Sequence, residues 1–395
     1  MSVKQSNISG LSCNNFIILI NLIGCSLILQ SCLNKENISV QLPKHISNSS
    51  PISSNSSKVN LYHKEMNFER IASEDGLLSN EIENLFCDPS TGLWIIGQAN
   101  VELYDGYNVR KIEEFNNFVL PKGVLDIKKD KNGSYYFLTN KGLTQLSNNK
   151  SKFFGFQKEI DVFNRPKITY DSTLNILWIN NTTEYFNIID ESLNKLVYKN
   201  YTSFNVSINS KGTYFVFGSI STPVCELAKY NYVEKKVQEV KRIDTTDLIQ
   251  IRGFVVDLKE QFWIYTQNSI MWKYSPKFDS LQHFGSRTEE LLDYSFTSTM
   301  LVGKYIEKLD QVIIGTYGGV VYLVNDNGLE YPFLQKCMPE EDNPTKLPPA
   351  VILSIEFDAN DNLFVHSYNA GINVYRPAKN KFTVLKNRKK DSTTI

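Results

Sequence analysis

Histidine is scarce in this chain of 395 residues, with four copies at His45, His63, His283 and His366. No two of them stand at metal-ligating spacing, and neither an HExxH motif nor a calcium-type loop of clustered Asp and Glu occurs. Cysteine is thin where it would matter. Of six, Cys13, Cys25 and Cys32 lie near the start, leaving Cys87, Cys225 and Cys337 far apart and odd in number. That excludes a disulfide framework, and no CxxC pair suggests a redox or zinc site. These three read as buried or half-buried thiols. Net charge is missing too, because 42 Lys plus Arg balance 42 Asp plus Glu. With no basic excess to neutralise phosphates, nucleic acid is excluded as the main partner. No Gly-rich loop follows a strand and opens a helix, so nucleotide binding has no support, and Gly318-Gly319 reads as a turn. No apolar run reaches the roughly 20 residues of a membrane-spanning helix.

What is abundant is β-forming material. Apolar residues make up 42% of the chain and aromatic residues 12%, with 21 Tyr and 23 Phe. Aromatic side chains suit pleated, half-buried surfaces, and a single all-β domain of this length is unexceptional.

The first 32 residues read differently. Phe16 to Leu29 is a short apolar run interrupted by Asn21, Gly24 and Ser26. Its length fits a signal-peptide core better than a spanning helix. Two stretches resemble bacterial lipoprotein boxes: Leu22-Ile23-Gly24-Cys25 and Leu29-Gln30-Ser31-Cys32. The first has the better small-residue pattern, the second the better position, since the apolar run ends just before it. Cys32 is therefore the expected lipid-attachment residue, with Cys25 the alternative and an uncleaved anchor a third reading. Residues 33–62 are rich in Ser and Asn, bury little apolar surface and read as a flexible tether. The short basic cluster Lys386 to Lys390 reads as a solvated tail.

From residue 63 to the end a unit recurs: a turn rich in Asp, Asn and Gly, an apolar strand, a second turn and another strand. Its centres fall at Trp94, Tyr136, Trp178, Phe215, Trp263, Ile313 and Phe364. The steps run from roughly 37 to 51 residues, the period of a four-stranded propeller blade. Short apolar strands precede several centres, as at Ile82 to Cys87 and Ile352 to Phe357, and a further strand often follows. The expected fold is all-β: one seven-bladed β-propeller of four-stranded antiparallel blades over residues 63–395. A closed ring needs its ends to share a blade. Phe68 to Ile71 and Lys381 to Leu385 compete for the closing position, and the pattern leaves the choice open.

The first repeat carries more than a period. Phe68-x-x-Ile71, Asp75-Gly76-Leu77-Leu78-Ser79-Asn80-Glu81-Ile82, Asp88, Gly92-Leu93-Trp94-Ile95 and Leu103-Tyr104-Asp105-Gly106 closely resemble the two-component regulator propeller repeat. Gly315-Thr316-Tyr317-Gly318-Gly319 resembles its centre again, whereas repeats three and four are degenerate. The resemblance spans about 85% of the chain. It implies the periplasmic or surface sensor region of hybrid two-component regulators of Bacteroidetes type, with an oligosaccharide ligand and no cofactor. Asp75, Gly76, Leu77, Asn80, Trp94, Tyr104, Asp105 and Gly106 are read as structural: Asp-Gly supplies tight turns, and an aromatic after an apolar residue packs between blades.

Regulators of this type continue into a second propeller, a membrane helix and a kinase, and no such motif follows here. The expectation is a stand-alone lipoprotein or the front of a longer receptor, a binding module rather than an enzyme. Two alternatives stay open. One is a scaffold docking a protein partner of the cell envelope. The other is a metal-assisted propeller lyase, for which His366, on a central strand, and His283 are the candidate histidines.

Overall fold

The computed structural model describes residues 66–160, 165–181, 184–189, 192–196, 203–218, 224–244, 251–266, 269–284, 299–326 and 333–378. The expected leader with Cys25 and Cys32, the tether, the candidate closing strand Lys381 to Leu385 and the basic cluster lie outside the described residues. Apart from 3-10 turns at Ser73–Asp75 and Glu307–Leu309, the labelled elements are strands.

Seven four-stranded antiparallel sheets and one two-stranded ribbon account for these strands. Six sheets are built from consecutive strands, blades 1 to 6 in chain order. Their innermost strands are Ile82–Asp88, Asp126–Lys129, Lys167–Asp171, Ser203–Asn209, Ile251–Val256 and Met300–Ile306. The seventh sheet is composite: Ile352–Phe357, Leu363–Ser367 and Ile372–Tyr375 are completed by Phe68–Ile71 from the other end of the chain. Phe68 pairs with Tyr375 and Ile71 with Ile372. Of the two candidates, it is therefore the N-terminal strand that fills the closing position. Each innermost strand touches the next around the axis, and Ile352–Phe357 touches Ile82–Asp88, so the ring is closed. Closure leaves no inner sheet edge free to pair with another chain.

Every repeat centre read from the sequence falls on the second strand of a sheet, and burial explains why those strands are so uniformly apolar. Each second strand sits between two neighbouring blades, so both of its faces are covered. In Gly92–Gly97, Leu93 and Ile95 join a cluster with Phe364 and Val374 of blade 7, while Trp94 and Ile96 join one with Ile127 and Phe137 of blade 2. The alternation of side chains along a strand thus feeds two cores in turn. Seven such clusters are found, one at each blade interface. Trp94, Trp178 and Trp263 are among the largest fully buried side chains, and each lies in one of them.

The turn from innermost to second strand is made the same way in six blades. An Asp or Asn side chain accepts hydrogen bonds from backbone N–H groups two to four residues ahead. Asp88, Asp130, Asp171, Asn209, Asp257 and Asp358 do this. In blade 6 the 3-10 turn Glu307–Leu309 takes the same place. Gly92 follows the first of these turns at φ 115°, and a Cβ there would lie 2.4 Å from the Tyr104 carbonyl oxygen, so only glycine fits.

Candidate functional site

The axial channel holds a cavity of about 660 Å³ lined by the innermost strands of all seven blades. Those strands bring ionisable residues to the channel: Asp126 and Lys128 in blade 2, Lys167 in blade 3, Lys304 in blade 6 and Glu356 in blade 7. In four blades the innermost strand begins with a register shift, at Ile82/Asn84, Ile251/Gly253, Met300/Val302 and Ile352/Ser354. Bulges re-aim the side chains beside them. Asn84 and Ser354 each stand just after one, and the Ser354 hydroxyl donates to Asn84 Oδ1 at 3.1 Å.

Asp126 ties three blades together. Its Oδ1 accepts from Asn84 Nδ2 at 2.7 Å and from the Ile127 amide at 2.8 Å, and its Oδ2 accepts from the Ile168 amide at 2.7 Å. The Lys128 ammonium lies 4.0 Å from it. Burial pushes the Asp126 carboxyl above the usual range, and the cations and amides around it only partly offset this. Lys128 also lies 3.8 Å from Glu356 and 4.8 Å above the Phe86 ring. Glu356 accepts from Lys304 at 2.5 Å. Burial works against ionising Glu356, but Lys304 and Lys128 outweigh it and hold the carboxyl below its ordinary value. At the rim, Lys129 reaches Ser90 Oγ at 2.6 Å and Asp88 at 3.2 Å, and Tyr135 donates its hydroxyl to Asp88. The result is a cavity with fixed charges of both signs and hydrogen-bonding groups on every side, the kind of lining that orients a polar ligand.

The residues singled out from the sequence motif fall elsewhere. Asp75 closes a 3-10 turn, its Oδ2 accepting from the Ala72 amide at 3.0 Å, and Gly76 follows in the left-handed region. Leu77 is buried between blades 7 and 1, and Asn80 keeps a buried Oδ1 with no hydrogen-bond partner among the described residues. Trp94 is fully buried at the blade 1–2 interface, its indole donating to Thr91 Oγ1 at 2.9 Å. Tyr104, Asp105 and Gly106 are brought together at the last turn of blade 1. Asp105 Oδ1 accepts from the Tyr107 and Asn108 amides at 2.9 and 2.8 Å, and the Tyr104 hydroxyl donates to the Gly106 carbonyl at 2.7 Å. They line a separate cleft of about 330 Å³ between blades 7 and 1, with Asp88, Asp358 and Arg376.

His366 is fully buried on the second strand of blade 7 and does not line the channel. Neither ring nitrogen has a hydrogen-bond partner among the described residues. Burial, reinforced by the nearby Arg165 and Lys167 charges, drives its pKa down to about 3. A lyase histidine needs a base partner near the axis, and His366 has neither the partner nor the position. The His283 side chain lies outside the described residues. No group of three metal-ligating side chains occurs among the described residues. Cys225 and Cys337 are buried and Cys87 half-buried, all three as free thiols.

The channel lining was not picked out in the sequence, although a signal for it exists. A charged residue inside a strand otherwise rich in apolar side chains, as in Met300–Ile306 or Ile352–Phe357, marks a strand that borders water or a ligand rather than a dry core.

No family model matches this sequence, and no curated protein matches it. Solved structures match the fold. The extracellular domain of a hybrid two-component system protein from B. thetaiotaomicron superposes with a TM-score of 0.57 at 14% identity, over 79% of this chain and 40% of that one. A second such domain from B. thetaiotaomicron gives 0.55 at 15% identity, over 79% and 42%. Virginiamycin B lyase from Staphylococcus aureus gives 0.56 at 10% identity, over 79% and 99%. The chain thus spans about two fifths of the length of the two-component extracellular domains it matches. At these identities the likeness establishes the β-propeller and nothing finer.

Proposed function

We propose that the chain is an extracytoplasmic ligand-binding propeller of the two-component regulator type, whose ligand enters the axial channel. The observation that carries this is the cavity of about 660 Å³, with charged and hydrogen-bonding groups in its wall, to which all seven innermost strands contribute. The sensor role takes support from the first-blade motif and from the fold shared with extracellular sensor domains. In this reading residues 1–32 are a signal peptide with lipidation at Cys32, residues 33–62 a tether and residues 63–395 the propeller, held at the periplasmic or outer surface. The ligand class is an oligosaccharide: the cavity has the size for a one- or two-sugar unit, and its lining sets hydrogen-bonding groups beside apolar surface, which suits the hydroxyls and ring faces of a sugar.

A thermal-shift screen with glycan fragments tests this, because a ligand that binds only the folded state raises the melting temperature. The control is Thr169→Trp, which fills the channel from the blade 3 innermost strand. A shift in the wild type that disappears in the variant is expected. A shift retained at full size in Thr169→Trp places the ligand elsewhere and overturns the channel site.

A second reading, a docking scaffold, has one observation in its favour. Tyr317 and Tyr368 are 60% and 50% exposed and occupy equivalent turns of blades 6 and 7, after the second strand. Antiparallel connectivity puts these turns on the face opposite the Asp turns. Recovery of one envelope protein by the wild type and not by Tyr317→Ala/Tyr368→Ala, with no glycan shift, would favour the scaffold.

A further inference from the structure

Ion pairing in the channel leaves one lysine without a carboxylate in contact. Glu356 is shared by Lys304 and Lys128, and Lys128 also faces Asp126. With Lys167, three ammonium groups stand beside these two carboxylates; the third carboxylate of the lining, Glu307, is exposed on the turn after the blade 6 strand and accepts from the Ser210 amide at 2.7 Å. Lys167 is the one left: it lines the same cavity, yet has no carboxylate within 4.0 Å and no hydrogen-bond partner among the described residues. A lysine left alone is ordinarily explained by solvent. Lys167 is only partly exposed and stands on an innermost strand, next to the Ile168 amide that donates to the fully buried Asp126. Desolvating an ammonium without a counter-charge is unfavourable, and proteins generally pair such groups.

We propose that Lys167 is the anchoring cation for a small organic monocarboxylate bound in the axial cavity. This rests on the channel reading above and adds the ligand's charge. One ammonium with no carboxylate in contact matches a ligand with a single negative charge. A dianion such as phosphate would instead bring a second charge against Asp126 and Glu356. The cavity is far larger than a bare carboxylate group, so the ligand has a body as well, and the hydrogen-bonding groups of Asn84, Thr169 and Ser354 suit hydroxyls on it. Burial and the Lys128 charge both depress the Lys167 pKa, with Asp126 and Glu356 opposing, so an arriving carboxylate relieves a cation that is unfavourably placed.

The test uses D-glucuronate, D-glucose and inorganic phosphate as probes on the full chain at low ionic strength, read by thermal shift and calorimetric titration. Glucuronate is expected to raise the melting temperature and to bind at least tenfold more tightly than glucose or phosphate. In Lys167→Met the glucuronate response is expected to vanish, while Lys167→Arg keeps part of it, which separates lost charge from lost folding. An equal response to glucuronate and glucose, or a response unchanged in Lys167→Met, overturns the proposal. No glucuronate response, alongside a neutral-glycan response that Thr169→Trp abolishes, also overturns it while leaving the channel reading standing. Silence toward every probe and glycan removes both.

Discussion

At the residue scale, His366 and Glu356 show how burial and pairing set opposite outcomes. His366 is held neutral inside the blade 7–1 interface, with a pKa near 3 and two unpartnered nitrogens. Because the unfolded chain binds a proton at about pH 6.5 and the folded one does not, the protein loses stability as pH falls from about 6.5 toward 3. The slope from this one group is about 1.4 kcal/mol per pH unit. His366→Met removes both the slope and the unsatisfied nitrogens. Urea melts at pH 7 are expected to show a gain of about 1 kcal/mol, and melts at pH 5 a larger gain. Glu356 works the other way. Its carboxyl is held low by Lys304 and Lys128, so its contribution is complete above about pH 4.3, the unfolded value, and is lost as pH drops through the folded value. Glu356→Gln is expected to cost about 2 kcal/mol at pH 7, between an exposed pair and a fully buried one. Denaturant melts at two salt concentrations check it, because a partly shielded pair loses little to screening.

At the element scale, the recurring Asp or Asn turn organises six of the seven blades. Asp257 Oδ1 accepts from the Lys259 and Gln261 amides at 2.9 Å each, and its Oδ2 accepts from Trp263 Nε1 at 2.9 Å. One side chain thus shapes the turn and pins the buried indole of the next strand. Asp257→Ala strands those donors, and equilibrium unfolding is expected to show a loss of about 3 kcal/mol, whereas Asp358→Ala, at a more exposed turn, costs about 1. The second strands were legible in the sequence because both their faces are covered, which writes an uninterrupted apolar run such as Phe262–Thr266. The innermost strands were harder to read, since they are apolar toward their neighbours and polar toward the axis, so no single period dominates. Lys167 and Glu356 look like ordinary surface charges until the ring brings seven strands around one axis. The closing strand was ambiguous for a related reason: Phe68–Ile71 is buried only at its ends, a four-residue pattern many segments could supply.

At the scale of the whole molecule, the ring is held shut by one short pairing and one staple. Four residue pairs join Phe68–Ile71 to Ile372–Tyr375. Arg376 adds to them, its Nε donating to Glu69 at 3.0 Å and its Nη2 to the Tyr104 hydroxyl at 3.0 Å, so blade 7 is fastened to blade 1. Phe68→Ala is expected to lower stability by about 3 kcal/mol despite its place at the margin of the domain, because it opens the cluster shared by blades 6 and 7. A chain starting at Ala72 bares the edge of Ile372–Tyr375, and size-exclusion chromatography is expected to show larger species than the full chain gives. The same pairing has a consequence for synthesis. The segment made early must wait, unpartnered, until the strand that receives it has been made roughly 300 residues later. Blades 1 to 6 can each assemble as they appear, but the circle cannot shut until Ile372–Tyr375 has been made. Contacts so distant in sequence form slowly, and partly folded chains with unpaired strands aggregate. Ring closure is then the step at which a protein-folding helper or a mutation has most leverage over yield.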